Sequence, residues 1–82
     1  EKTLLPRPLW LLSKPLEIHK KQKTLYWQGH LDLLQGPERI DTQWWKHHEI
    51  RDYYIARHTN GSIVWIFKDQ IKKSWFLHGM FS

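Results

Sequence analysis

Apolar and polar positions along this chain fall into short runs, and no stretch sustains the stripe of an amphipathic helix. The densest pattern is Arg51 to Phe81, RDYYIARHTNGSIVWIFKDQIKKSWFLHGMF, with three aromatic-rich runs separated by polar breaks. Asn60-Gly61 is a strong hairpin signal, because both residues tolerate the positive φ of a type I′ turn. A two-residue loop there places Thr59 opposite Ser62. Ala56 then faces Trp65, and Tyr54 faces Phe67, on one side of the sheet. Ile55 faces Ile66, Arg57 faces Val64 and Tyr53 faces Lys68 on the other. This register sets Asp52 against Asp69, so the pair is expected to splay there. Trp75 to Phe81 forms a third strand after the polar loop Gln70 to Ser74.

Upstream, Glu1 to Pro8 carries two prolines and no period, and reads as an extended arm or linker remnant. Leu9 to Leu12 and Leu16 to His19 read as two short strands divided by Ser13-Lys14-Pro15. Lys20, Lys21, Gln22 and Lys23 make a basic hairpin tip. Thr24 to Trp27 is β-prone, with a break at Gly29. His30 to Leu34 continues as strand, Gln35-Gly36-Pro37-Glu38 reads as a turn, and Ile40 to Trp45 as a further strand. Period-two alternation sends Trp44 and Trp45 to opposite sides, one toward the core. Lys46 to Glu49 is a polar connection. The predicted fold is all-β: a small antiparallel barrel or sandwich of about six short strands, ending in a three-stranded meander. Residues 9–82 form one domain.

Size and composition set limits on this picture. A domain of 82 residues buries only about 60–65% of its unfolded surface. Six Trp are hard to bury fully at this size, so one or two are expected at the surface. There is no Cys, which excludes disulfides and thiolate metal sites. No apolar run approaches the ~20 residues of a membrane span, and Leu9 to Leu12 is too short for a signal-peptide core. The first residue is Glu, which suggests a piece of a longer protein. The net charge of +5 suits an acidic partner, as it also suits simple solubility.

Candidate chemistry is thin. The six His show no metal-ligand spacing; His47 and His48 are adjacent and diverge in a strand. Ser and Thr sit in turns, the Gly are isolated, and the carboxylates alternate with bases, as in Glu38-Arg39 and Arg51-Asp52, the pattern of ion pairs. No catalytic residue, cofactor or metal is expected, and the chain reads as a binding module. Arg51, Tyr53, Arg57 and Lys68 share one face in the register above. Cations interleaved with rings are how single-stranded nucleic acid is held, and are equally how a sheet face covers an apolar middle.

The order GPERI (Gly36 to Ile40), WW (Trp44, Trp45), RDYYIAR (Arg51 to Arg57), VWIF (Val64 to Phe67) and WFLHGMF (Trp75 to Phe81), with RPLWLL (Arg7 to Leu12) before it, resembles one family. It is similar to the extreme C-terminal domain of ImuB-type proteins, the Y-family polymerase-like subunits of bacterial mutagenesis cassettes. The resemblance spans most of residues 7–82. Lys46-His47-His48 stands where an Asp-Gly-like turn is expected after the paired Trp. The resemblance implies a bacterial, cytoplasmic, non-catalytic adaptor in DNA-damage-induced translesion synthesis. Its partners would be a RecA-like ImuA and an error-prone C-family polymerase. Three readings follow. The first is a protein-binding module contacting its partner through Trp45, Arg51, Tyr53 and Arg57 as exposed aromatics flanked by Arg. The second is a basic surface holding single-stranded DNA through Lys20, Lys21, Lys23, Lys72 and Lys73. The third is a structural cap on the polymerase-like body.

Overall fold

The computed structural model describes residues 4–82. Six strands follow in order: β1 (Trp10–Lys21), β2 (Thr24–Tyr26), β3 (His30–Trp44), β4 (His47–His58), β5 (Ile63–Asp69) and β6 (Ser74–Met80). Each pairs antiparallel with the next, and β6 pairs with β1, so the sheet closes into a barrel. The expected all-β architecture is present, with β4, β5 and β6 as its C-terminal meander. Because every connection joins neighbours, the β1–β2, β3–β4 and β5–β6 turns lie at one end, here called upper. The β2–β3 and β4–β5 turns lie at the lower end.

Every strand contributes to the barrel interior, which Ile18, Leu25, Leu31, Ala56, Val64, Ile66 and Leu77 fill. β4 and β5 are buried on both faces. Their outer side carries a second layer of Tyr53, Ile55, Trp65 and Phe67 beneath Leu5 of the N-terminal arm. This explains why Ile63 to Phe67 reads as a continuous apolar run rather than an alternating one. The arm is pinned by Glu38, whose Oε1 accepts from the Leu5 N–H at 3.0 Å. Arg7 grips the same carboxylate with two nitrogens, at 2.7 and 2.8 Å. Of the arm expected at residues 1–8, residues 1–3 lie outside the described residues.

The central hairpin is shifted by one residue from the expected register. His58 and Ser62 close the loop: the His58 N–H donates to the Ser62 carbonyl at 2.8 Å and the Gly61 N–H to the His58 carbonyl at 2.9 Å. Only Gly61 takes a positive φ, +94°. The loop is therefore the three-residue form, a turn closed by a left-handed glycine, not the two-residue form. One residue of slip exchanges every facing pair. Ala56 faces Val64, Ile55 faces Trp65, Tyr54 faces Ile66, Tyr53 faces Phe67 and Arg57 faces Ile63. It also removes the expected repulsion, since Asp52 lies opposite Lys68 and Asp69 opposite Arg51.

Two expected breaks are instead bulges inside long strands. Gln35 to Glu38 is part of β3, where the register against β4 skips between Leu33 and Gln35 and again between Gln35 and Glu38. Gly36 sits there at φ +120°, and a Cβ on it would lie 2.7 Å from the Tyr53 carbonyl oxygen. The Gly36–Pro37 peptide is cis. Likewise Leu9 to Leu12 and Leu16 to His19 are not separate strands. β1 spans both, with Leu12 to Pro15 bulging out against β6. Pro15 is tolerated there because a bulge does not need its missing N–H.

β3 and β4 run on past the barrel. β2 pairs with β3 only as far as Leu31, and β5 pairs with β4 only from Arg51 onward. Asp41 to Trp44 and His47 to Ile50 therefore pair with each other alone, as a two-stranded ribbon at the upper end. The expected polar connection Lys46 to Glu49 is mostly strand; Trp45 and Lys46 alone make the turn. Among the described residues, no helix is long and apolar enough to cross a membrane.

Candidate functional site

The ribbon presents two large rings to solvent. Trp44 is 57% exposed and Trp45 is 83% exposed. The expectation that one of them faces the core is corrected, because Trp45 occupies the turn and Trp44 lies on a ribbon that no other strand covers. Lys46 takes φ +67°, and its ammonium lies 4.8 Å from the centre of the Trp45 ring. His47 lies over Trp44, with centroids 4.7 Å apart. A left-handed conformation at the second turn residue alone suits Gly or Asn better than Lys. Trp10 is also exposed, so three Trp rather than one or two lie at the surface; Trp65 is buried, and Trp27 and Trp75 are half-buried.

Below the tip, a polar chain ties the ribbon to the outer aromatic layer. Glu49 accepts from Arg51 Nη2 at 3.2 Å and pairs with His47 Nε2 at 3.1 Å. The His47 hydrogen bond, with Arg51 nearby, holds the Glu49 carboxyl below its ordinary pKa. Arg51 Nη1 donates to the Tyr53 hydroxyl at 3.1 Å, which donates in turn to His78 Nδ1 at 2.8 Å. Burial raises the Tyr53 pKa. Burial also lowers that of His78, helped by the Arg51 charge. Both shifts favour the neutral phenol and the neutral imidazole that this donor order requires. The Arg51 guanidinium sits 4.4 Å from the Phe67 centroid.

The four residues expected to meet a partner are thus separated. Trp45 stands at the ribbon tip and Arg51 at its base. Tyr53 is 3% exposed, so the expectation of an exposed ring there is corrected: the arm covers its side of the sheet, and the shifted register sets Trp65 beside it at 4.0 Å. Arg57 is exposed but lies near the lower end of β4, opposite Ile63 and Asp32. Alternation along β4 correctly placed Arg51 and Tyr53 on one side, but could not say that the arm covers it.

The five lysines expected at a basic surface come together at the upper end. Lys20, Lys21 and Lys23 belong to the β1–β2 hairpin, while Lys72 and Lys73 belong to the β5–β6 loop. All five are exposed. The reading missed Lys46, which topology adds to them, and Lys14, which the β1 bulge brings to the same groove as Lys72. Among the described residues, no lysine lies within ion-pair distance of a carboxylate. The arginines do the pairing: Arg7 with Glu38, Arg39 with Asp52 and Arg51 with Glu49. Arg39 holds Asp52 through two bonds at 2.7 and 3.0 Å, which lowers the Asp52 pKa. No group of three His, Asp or Glu among the described residues could hold a metal ion.

Comparison with known proteins adds no relative. No family model matches the chain, and neither the curated proteins nor the solved structures give a match.

Proposed function

We propose that this chain is a non-catalytic binding module that docks a protein partner through the tip of the β3–β4 ribbon. The context we propose is the one its motifs imply: an ImuB-like protein acting in DNA-damage-induced translesion synthesis in the bacterial cytoplasm. The partner there would be a RecA-like ImuA or a C-family polymerase. The observation that carries the reading is the exposed pair Trp44 and Trp45 on a ribbon with no neighbouring strand. Indole rings standing in water gain from burial in a partner's pocket, and Trp is enriched among residues that dominate interface energies. Arg51 and Tyr53 then act as braces for the ribbon base rather than as contacts.

The test is a titration of the chain, and of a Trp44→Ser/Trp45→Ser variant, against the two partners. The variant is expected to unfold at the same temperature, since neither ring packs in the barrel. Its affinity should fall by tenfold or more, as for a hot-spot pair costing about 2 kcal/mol or more. A folded variant with unchanged affinity for both partners would remove the ribbon from the interface.

A further inference from the structure

We infer that the upper rim of the barrel binds single-stranded nucleic acid, with lysines on the phosphates and aromatic rings under the bases. This surface is separate from the protein contact proposed for the ribbon tip.

Three clefts along the rim combine a lysine with a ring. One, of about 420 Å³, is lined by Lys21, Gln22, Thr24, Tyr26 and His30. Because β2 is only three residues long, this cleft runs from Lys21 at the rim down to Tyr26 and His30, which bracket the β2–β3 turn. Their ring centroids are 4.4 Å apart, and the Lys21 ammonium stands 5.8 Å from the Tyr26 centroid. A second, of about 230 Å³, lies at the barrel mouth and sets Lys20 and Lys23 beside Trp75. A third, of about 180 Å³, sets Lys14 and Lys72 beside the half-buried Phe76, over the buried Phe67. There Lys72 stands 6.0 Å from the Phe76 centroid. This is the composition of a single-strand site: a cationic track with stacking platforms along it. An acidic protein surface would not need the rings, and a duplex hides the base faces that rings require.

Of the carboxylates near this rim, Asp32 lines the second cleft with Lys20 and Lys23 and offsets part of their charge, while three others have partners of their own. Asp69, which lines the third cleft, accepts the N–H groups of Ile71 and Lys72, each at 2.9 Å. Glu49 holds Arg51, and Asp41 accepts from His48 at 2.9 Å. The turns carry a second sign. Gln22, Lys23 and Lys73 all take positive φ on this rim, between 46° and 73°. Left-handed backbone costs a non-glycine residue about 1–2 kcal/mol. Lysine thus stands where glycine or asparagine would suit the turn better, and departures of that kind concentrate at functional surfaces.

The experiment is a salt-series titration of the chain with a thymidine oligonucleotide of about 15 residues, near the upper site size of single-strand barrels. A uridine oligonucleotide, a duplex and polyglutamate run in parallel. The expected result is saturable binding to either single strand, stronger than to duplex, with polyglutamate competing poorly. Preference between thymidine and uridine strands tells DNA from RNA. Lys21→Gln and Lys72→Gln should each flatten the log–log salt dependence by about 0.7. Tyr26→Leu should lower affinity about fivefold or more with the salt dependence kept, because stacking carries no counterions. The Trp44→Ser/Trp45→Ser chain should still bind at the rim and respond to these changes. Stronger duplex binding, equal competition by polyglutamate, or binding that vanishes with the two Trp and ignores the rim lysines would each overturn the inference.

Discussion

The two ends of this barrel are made differently. At the lower end the turns Trp27-Gln28-Gly29 and Thr59-Asn60-Gly61 contain no charged residue, and they are laced to one another. His58 is buried; its Nε2 donates to the carbonyl oxygens of Trp27 at 2.8 Å and Gln28 at 3.0 Å. Its Nδ1 accepts the Asn60 N–H at 3.0 Å, and the Asn60 side chain accepts the Ser62 N–H at 2.8 Å. Two of its positive-φ positions are glycines, with Gln28 the exception. At the upper end the turns are basic, and the positive-φ positions are Gln and Lys. At the lower end side chains lace the backbone of two turns together, whereas at the upper end Asp69 holds the N–H groups of its own turn alone. The upper end holds exposed charge and rings in conformations that do not favour them. Local consistency is what a structural end requires, and its absence at the upper end is in keeping with the binding surface proposed there.

The contrast predicts where substitutions hurt. His58→Ala should have the largest effect, because three backbone groups of two turns lose their partner in a buried place. A loss of about 2–4 kcal/mol in chemical denaturation is expected. A smaller loss would mean that water takes over and that the lower end is less tightly laced than described. Gly29→Ala comes next, at about 1–3 kcal/mol. Its Cβ would lie 2.7 Å from Thr59 Oγ1 and 3.0 Å from the His58 ring, at a φ of +136°. At the upper end the sign reverses. Lys23→Gly relieves a residue at φ 73°, and should raise stability by up to about 1 kcal/mol, while weakening single-strand binding. If it destabilises, the turn is held by contacts of the lysine and the comparison between the ends fails.

The smallest effect is on pH dependence. His78 is held neutral, with its pKa lowered by burial and by Arg51. The unfolded chain takes up its proton first, near the ordinary value of about 6.5. Stability from this group is therefore complete above that value and declines as pH falls toward the lower folded pKa. Thermal unfolding of the chain and of His78→Gln between neutral and mildly acid pH should show the slope only in the parent. The same slope in both would assign it to another group.

Much of the fold was legible in the residues. Short runs, isolated glycines and no helical stripe gave an all-β chain, and the basic tip Lys20 to Lys23 was placed as a hairpin. The hairpin at Gly61 was also visible, but not its register. Asn-Gly serves both a two-residue and a three-residue loop, and the choice rests on which carbonyl the Gly61 N–H reaches. Gly36-Pro37 reads as a turn because turns and bulges want the same residues; only the pairing of β3 with β4 on both sides of it tells them apart. Of the candidate site, the lysines were legible as charge and Trp45 as a ring.

By itself, the sequence determined the strand-forming composition, the turns and the surplus of positive charge, since these depend on each residue's own backbone preference and ionisation. The tertiary structure decided which of those features meet. Up-and-down connection sets every second turn at one end, and closure of β6 on β1 brings lysines 53 positions apart, Lys20 and Lys73, to a single rim. Docking of the arm buries Tyr53, and the lack of any strand beside the ribbon exposes Trp44. Burial is a property of what lies opposite a side chain, and what lies opposite is fixed by pairings between distant segments rather than by local pattern.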